Sequence, residues 1–262
     1  MKLLKPILGA AIIAAAFTSA NAQWVISSLN TTFTENFDSL GSSATASLPN
    51  GWKVAGNGAT PDYSTGTTAT TRAGGTSGTG ILTSTSGGGT YNFANGVTAS
   101  STDRAVGFLT SGSYASPDSL MVQLQNTSGS TVGKLDVSYD IEKYRSGSRA
   151  FDVNFFYSTD GSTWTSASSG DHSFAADANN TVVSNPPITT SISQFSISGI
   201  NVANNSTIYL RWAYTGSGGS SNAQGLGFDN INVMLEVPEP SSYAAIAGLG
   251  LIGFGVWRRA RR

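Results

Sequence analysis

Strict alternation of apolar and polar residues recurs through the second half of this chain, and few folds accommodate it. Leu135, Val137, Tyr139 and Ile141 alternate with Asp136, Ser138, Asp140 and Glu142. Phe151, Val153, Phe155 and Tyr157 do so against Asp152, Asn154 and Ser158, and Leu120, Val122 and Leu124 against Met121, Gln123 and Gln125. Ile208, Leu210, Trp212 and Tyr214 repeat the pattern, as do Ile231, Val233 and Leu235. A period of two means strands with one face on a core and the other expected in water. Phe33, Glu35 and Phe37 show the same spacing early on, and Ala105–Thr110 reads as a further strand. Many short strands with no amphipathic helix between them predict an all-β fold, an antiparallel β-sandwich of jelly-roll type. From Gly56 to Gly89 the chain is nearly all Gly, Ser, Thr and Ala, broken by Tyr63, Arg72 and Ile81-Leu82, and it reads as a long surface loop with one short strand.

Composition narrows the chemistry. There is no cysteine, so no disulfide braces the fold, and apolar packing has to hold it. Residues 23–237 carry eight basic against fourteen acidic side chains, a net charge of −6, which argues against nucleic acid as a partner.

Both ends read as export signals. Lys2 and Lys5 precede an apolar run from Ile7 to Phe17, and Ala20-Asn21-Ala22 forms a small-x-small site that predicts cleavage by signal peptidase before Gln23. At the other end stand Pro238-Glu239-Pro240, an apolar run from Ser241 to Trp257, and a cluster made of Arg258, Arg259, Arg261 and Arg262. A helix over that run is about 25 Å long, short against a hydrocarbon core of roughly 30 Å. The arginines should hold its end in the cytoplasm, leaving the bulk of the chain outside. Triplet, short single transmembrane helix and arginine cluster together resemble the PEP-CTERM sorting signal of exported bacterial proteins, which implies recognition and processing by an exosortase. The expected organisation is a signal peptide at 1–22, a β-sandwich ectodomain at 23–237 and a sorting signal at 238–262. Expected partners are signal peptidase and exosortase, with the inner membrane a transient stop before the cell surface or extracellular space. The run Gly248-Leu249-Gly250-Leu251-Ile252-Gly253 matches a dinucleotide-binding pattern, but it has no preceding strand and lies inside the membrane segment.

Between the ends, Tyr91–Phe93, Thr102–Gly107, Val122–Asn126, Val137–Asp140, Phe156–Gly161, Ile208–Trp212 and Gly227–Ile231 look like a jelly-roll domain recurrent in secreted bacterial proteins, similar to lectin-like and laminin-G-like sandwiches. That resemblance implies a fold and no activity.

Traces of catalysis are sparse. His172 is the single histidine, and no Gly-x-Ser-x-Gly elbow accompanies it. Asp140 and Glu142 lie about 7 Å apart on one strand face, a spacing that suits paired acids, yet their alternation marks an ordinary wet face. Ser158–Trp164 resembles an Asp-box hairpin and is accounted for by its Asp160-Gly161 turn. A jelly roll brings first and last strands together, so Glu35, Asp38, Asp229 and Asn230 are candidate oxygen ligands for a structural Ca²⁺, with no cofactor otherwise required. Aromatic rings in or beside loops are candidate sugar platforms: Trp52, Tyr63, Tyr91, Tyr114 and Tyr144, with Arg145 beside them. The expected function is a non-catalytic structural or adhesive role at the cell surface or in an extracellular, biofilm-like matrix. The alternative is a carbohydrate-binding module for exopolysaccharide, and behind it a polysaccharide-active enzyme.

Overall fold

The computed structural model describes residues 23–59, 61–74, 82, 86–94, 102–177, 187–217, 223–237 and 259. The expected signal peptide lies outside these residues, as do the apolar run 241–257 and Pro238, Glu239, Pro240, Arg258, Arg261 and Arg262 of the expected sorting signal. Arg259 is exposed. Among the described residues no helix is long and apolar enough to cross a membrane.

Two seven-stranded sheets face each other, as the alternation requires. At the centre of the first is β13 (Thr207–Ser217), flanked by β7 (Asp118–Asn126) and β9 (Ala150–Ser158). β7 carries β1 (Trp24–Ile26) and β3 (Trp52–Ala55) on its far side, and β9 carries β10 (Thr165–Ser166) and β11 (His172–Phe174). The second sheet is centred on β14 (Gly225–Glu236), which pairs with β8 (Val132–Arg145) along one edge. Its other edge is shared between β6 (Arg104–Leu109) and β2 (Thr32–Glu35). The sheet then runs outward through β5 (Gly89–Ala94) to β4 (Arg72–Ala73) on one side, and from β8 to β12 (Ile188–Val202) on the other. Pairing is antiparallel except for β1 with β7 and β4 with β5. An early strand does lie beside the last one, with Glu35 opposite Ile231.

The core is aromatic. Trp212 is fully buried between the sheets, its ring centroid 5.7 Å from Trp52, 5.3 Å from Phe155 and 5.7 Å from Tyr139, while Phe228 closes the cluster at 6.4 Å. Stacked and edge-on geometries both occur, as the ring quadrupole favours. The two indole N–H groups, Nε1 of Trp52 and of Trp212, are buried without a hydrogen-bond partner, and packing has to outweigh that cost of about 1–3 kcal/mol apiece.

Two sequence expectations fail. The outer face of the second sheet is drier than the alternation implies: Asp136 is 3 % and Glu142 4 % exposed, with Ser138 and Asp140 half-buried between them. It carries a second aromatic layer in which Tyr91, Phe93 and Tyr144 stack with centroids 4.9 and 4.4 Å apart. Glycines create the room, since a Cβ at Gly227 would meet Tyr144 at 3.0 Å and Phe93 at 3.1 Å. The stretch from Gly56 to Gly89 is also more than a surface loop. Within its described part Tyr63 is buried, Val54 pairs with Thr67, Ser47 pairs with Ala69, and Arg72–Ala73 forms β4.

With no covalent brace, loss of the central ring should be severe. Trp212→Ala is expected to cost about 3–5 kcal/mol, read from denaturant unfolding followed by far-UV circular dichroism, and a reductant should leave the parent's curve unchanged. A loss below about 1 kcal/mol would mean that the sheets are held together elsewhere.

Candidate functional site

Alternation that turns Leu210 and Trp212 inward turns Tyr209 and Arg211 outward. Register then sets Arg211 between Met121 of β7 and Phe156 of β9, with Lys53 of β3 beyond Met121. Tyr209 sits two residues along, between Gln123 and Ser158. Onto this outer face of the first sheet folds a one-turn 3-10 segment, Tyr63–Thr65, whose N-cap Asp62 accepts from the Ser64 N–H at 2.8 Å. Tyr63 is anchored at three points. Its N–H donates to the Gly161 carbonyl at 2.9 Å, its hydroxyl to the Gly51 carbonyl at 2.7 Å, and its carbonyl accepts from Lys53 Nζ at 3.0 Å. The Lys53 ammonium lies 4.5 Å from the Tyr63 ring, and the Tyr209 ring 5.0 Å away on another side.

The hairpin after β9 supplies the rest. Asp160 Oδ1 accepts from the N–H groups of Ser162 at 2.8 Å and Thr163 at 2.7 Å, while Gly161 adopts a positive φ of 78°. Those bonds hold the Asp160 carboxyl well below the usual carboxylate range, so it stays ionised. Trp164 turns back, donating from Nε1 to the Pro61 carbonyl. Its ring lies 4.9 Å from the Arg211 guanidinium, which on its other side lies 3.9 Å from Phe156. Burial pulls the Arg211 pKa down to about 10, which leaves it cationic at neutral pH.

Two hollows open on this face. One of about 220 Å³ is lined by Lys53, Asp62, Tyr63, Ser64, Gln123, Asp160 and Tyr209. The other, about 270 Å³, is bounded by the turn Ser47–Trp52 together with Lys53, Tyr63 and Thr68. Lys53 and Tyr63 border both. Each is somewhat smaller than the ~300–1,000 Å³ of small-ligand sites, and between them they are lined by two tyrosines, one cation, the amides of Asn50 and Gln123, and two carboxylates.

Of the sugar-platform residues chosen from sequence, Tyr63 lines these hollows and Tyr114 is half-buried elsewhere. Trp52 borders the larger hollow but is only 1 % exposed, Tyr91 and Tyr144 belong to the stacked layer on the second sheet, and Arg145 is buried. Loop position misled, because a ring beside a glycine-rich segment can be covered by it. Tyr209, Arg211, Lys53 and Gln123 were legible only as the outward partners of inward residues.

Of the four residues proposed for calcium, Asp38 acts electrostatically on both Asp229 and Glu35, and the neighbours of three of the four are defined by hydrogen bonds. Glu35 accepts from the Phe37 N–H at 2.8 Å, Asp38 from the Arg104 N–H at 3.0 Å, and Asn230 donates to Asp140 at 3.0 Å. Among the described residues no group of three carboxylate or histidine side chains is arranged to hold a metal. What does gather is a set of repelling acids. Asp38, Asp103 and Glu142 all act on Asp229, which is 3 % exposed, and whose Oδ1 has no hydrogen-bond partner. Burial first, then those neighbours, pushes Asp229 up to about 8 against an opposing bond from the Asn230 N–H. Glu142 rises to about 7 for the same reasons, although the Tyr144 hydroxyl donates to it. In the first sheet, burial raises Asp118 to about 8 despite its bond from the Asn57 N–H.

Comparison with known proteins identifies one segment. A PEP-CTERM protein-sorting motif matches residues 236–262, and the chain carries that motif. No curated protein matches the chain. Among solved structures, TmCBM61 in complex with beta-1,4-galactotriose is similar at 13 % identity over 51 % of this chain and 72 % of its own, with a TM-score of 0.31. The K2 cleaved adhesin domain of Lys-gingipain is similar at 13 % identity over 78 % and 99 %, with a TM-score of 0.41. The xylan-binding module CBM15 is similar at 12 % identity over 80 % and 99 %, with a TM-score of 0.30. Likeness of this order equates no residue and no ligand.

The raised carboxyls make stability depend on pH in a defined sense. Folded Asp118, Glu142 and Asp229 keep protons that the unfolded chain releases near its ordinary carboxyl values of 3.8 and 4.5. The folded state therefore binds more protons across pH 4 to 8, and stability falls as pH rises through that window. The melting temperature should drop by on the order of 5 °C or more from pH 5 to 8.5, and Asp229→Asn together with Asp118→Asn should flatten the profile. A flat or rising profile in the parent would contradict the burial of these acids.

Proposed function

We propose that this exported domain is a non-catalytic glycan-binding module that acts outside the cell on surface or matrix polysaccharide. The observation that carries the reading is the pair of adjoining hollows on the outer face of the first sheet, where the half-buried Tyr209 supplies an apolar ring face backed by the buried Tyr63, and Lys53, Gln123, Asp62 and Asp160 supply donors and acceptors within one small volume. Sugars need both kinds of contact, because each ring has an apolar face rimmed by hydroxyls.

A binding role fits these groups better than a catalytic one. Asp160 spends its carboxylate on backbone N–H groups and is held ionised, so it cannot donate the proton that a glycoside hydrolase requires of its acid. Asp62 is occupied in capping the 3-10 turn. The reading requires no cofactor. Export accounts for the rest of the chain: the sorting motif at 236–262 marks it for an exosortase, and signal peptidase and a membrane-held intermediate complete the route.

Two experiments test this. On an array of bacterial polysaccharides and oligosaccharides, the parent should retain at least one glycan, and Tyr209→Ala or Lys53→Ala should weaken that binding at least tenfold while the melting temperature stays within a few degrees. Absence of any retained glycan, or full binding by both variants, would refute the assignment of this face. For sorting, alanines in place of Pro238, Glu239 and Pro240 should leave full-length protein in the inner membrane. Normal shortening and release of that variant would show that the triplet is not what is read.

A further inference from the structure

Among the described residues the longest edge strand of the sandwich is β12. β12 pairs with β8 along one side, and among the described residues no strand pairs with its other side. At its end a side chain reaches across, where Asn126 Nδ2 donates to the Val202 carbonyl at 3.0 Å. The strand is 15 residues long. The opposite end of the same sheet is the two-residue β4, and the flanks of the first sheet are strands of two to four residues.

Natural sheets blunt such an edge with lysine, proline, an inward charge or β-bulges. Of these β12 has only irregularities of register. Its sequence, Ile-Thr-Thr-Ser-Ile-Ser-Gln-Phe-Ser-Ile-Ser-Gly-Ile-Asn-Val, holds no charged residue and no proline, and Ile188 is 55 % exposed at its start. Two irregularities interrupt its register with β8, between Ile192 and Phe195 and between Ser198 and Val202, yet pairing resumes after each.

We infer that β12 is a pairing edge for a second copy of this chain, joined antiparallel about a twofold axis so that the second sheets of two molecules become one. Charge does not oppose a copy at this edge: the domain carries a net −6, so two molecules repel over most of their surface, but along β12 neither contributes a charge. Symmetry points the same way. An antiparallel pair of identical strands is self-complementary, and it closes as a dimer. A head-to-tail chain would need a second long edge, and β4, with two residues, does not provide one.

A chain without cysteine permits a clean test in the full-length protein purified in mild detergent. Ser193→Cys places a single thiol near the middle of the exposed strand, and Thr159→Cys places one on the hairpin after β9 as a control. With a short bismaleimide the first should give mostly cross-linked dimer and the second almost none. Adding Thr189→Lys and Ser191→Lys, two exposed positions that face Glu142 and Asp140 within their own molecule, should cut dimer yield at least tenfold without lowering the melting temperature. The inference fails if Ser193→Cys gives no more dimer than Thr159→Cys, if the lysines leave the yield unchanged, or if the adduct contains a different protein.

Discussion

Everything in this molecule depends on one contact between sheets, the packing of Trp212 against Trp52, Phe155 and Tyr139. Each ring comes from a different strand, and together they join the central strand of the first sheet to a strand beside the centre of the second. No disulfide shares the task, since the chain has no cysteine. A large ring buried to 0 % removes more apolar surface from water than any aliphatic substitute at that position, and it does so while leaving its indole N–H without a partner. The balance tells which effect wins: area and dispersion outweigh an unmade hydrogen bond.

Once the inner faces are filled, the outer faces differ. The first sheet puts long, rigid polar groups outside and fixes them through the Tyr63 segment and the Asp160 hairpin. The second covers its outside with stacked rings and encloses acids under them. Gly107 shows how tightly that layer is built, since a Cβ there would lie 1.9 Å from the Leu226 carbonyl oxygen, so β6 and β14 can approach only through glycine. Enclosure of Glu142 and Asp229 is a cost carried by the native state, and it falls on the second sheet while the hollows and their ionised Asp160 lie on the first.

How much of this the sequence contains follows from what a period of two encodes. It tells which residues share a face, and so Leu135, Val137, Tyr139 and Ile141, and Ile208, Leu210, Trp212 and Tyr214, were correctly turned inward, and the sandwich followed from them. It does not tell what covers the opposite face. Glu142 was therefore read as solvated although it is buried, and Tyr91 and Tyr144 were read as available rings although they stack on Phe93. Composition misled in the same way at Gly56–Gly89, where small residues suggested a loose loop. Tyr63, inside that stretch, is tied down by hydrogen bonds to Gly51, Gly161 and Lys53, contacts at sequence separations of 12, 98 and 10 that no local pattern records.

The proposed ligand face and the proposed pairing edge belong to different sheets, and this has a mechanical consequence. Joining two molecules through β12 extends the second sheet and leaves the hollows around Tyr209 and Lys53 on the first sheet of each copy open to solvent. A dimer then presents two binding faces held at a fixed separation. For a repeating polymer that arrangement matters more than the affinity of either site, because the second contact forms within the complex, and avidity rises by about 10²–10⁴ when the polymer can span both faces. Small hollows, each with room for only a short stretch of ligand, would suffice to hold a long chain at a cell surface.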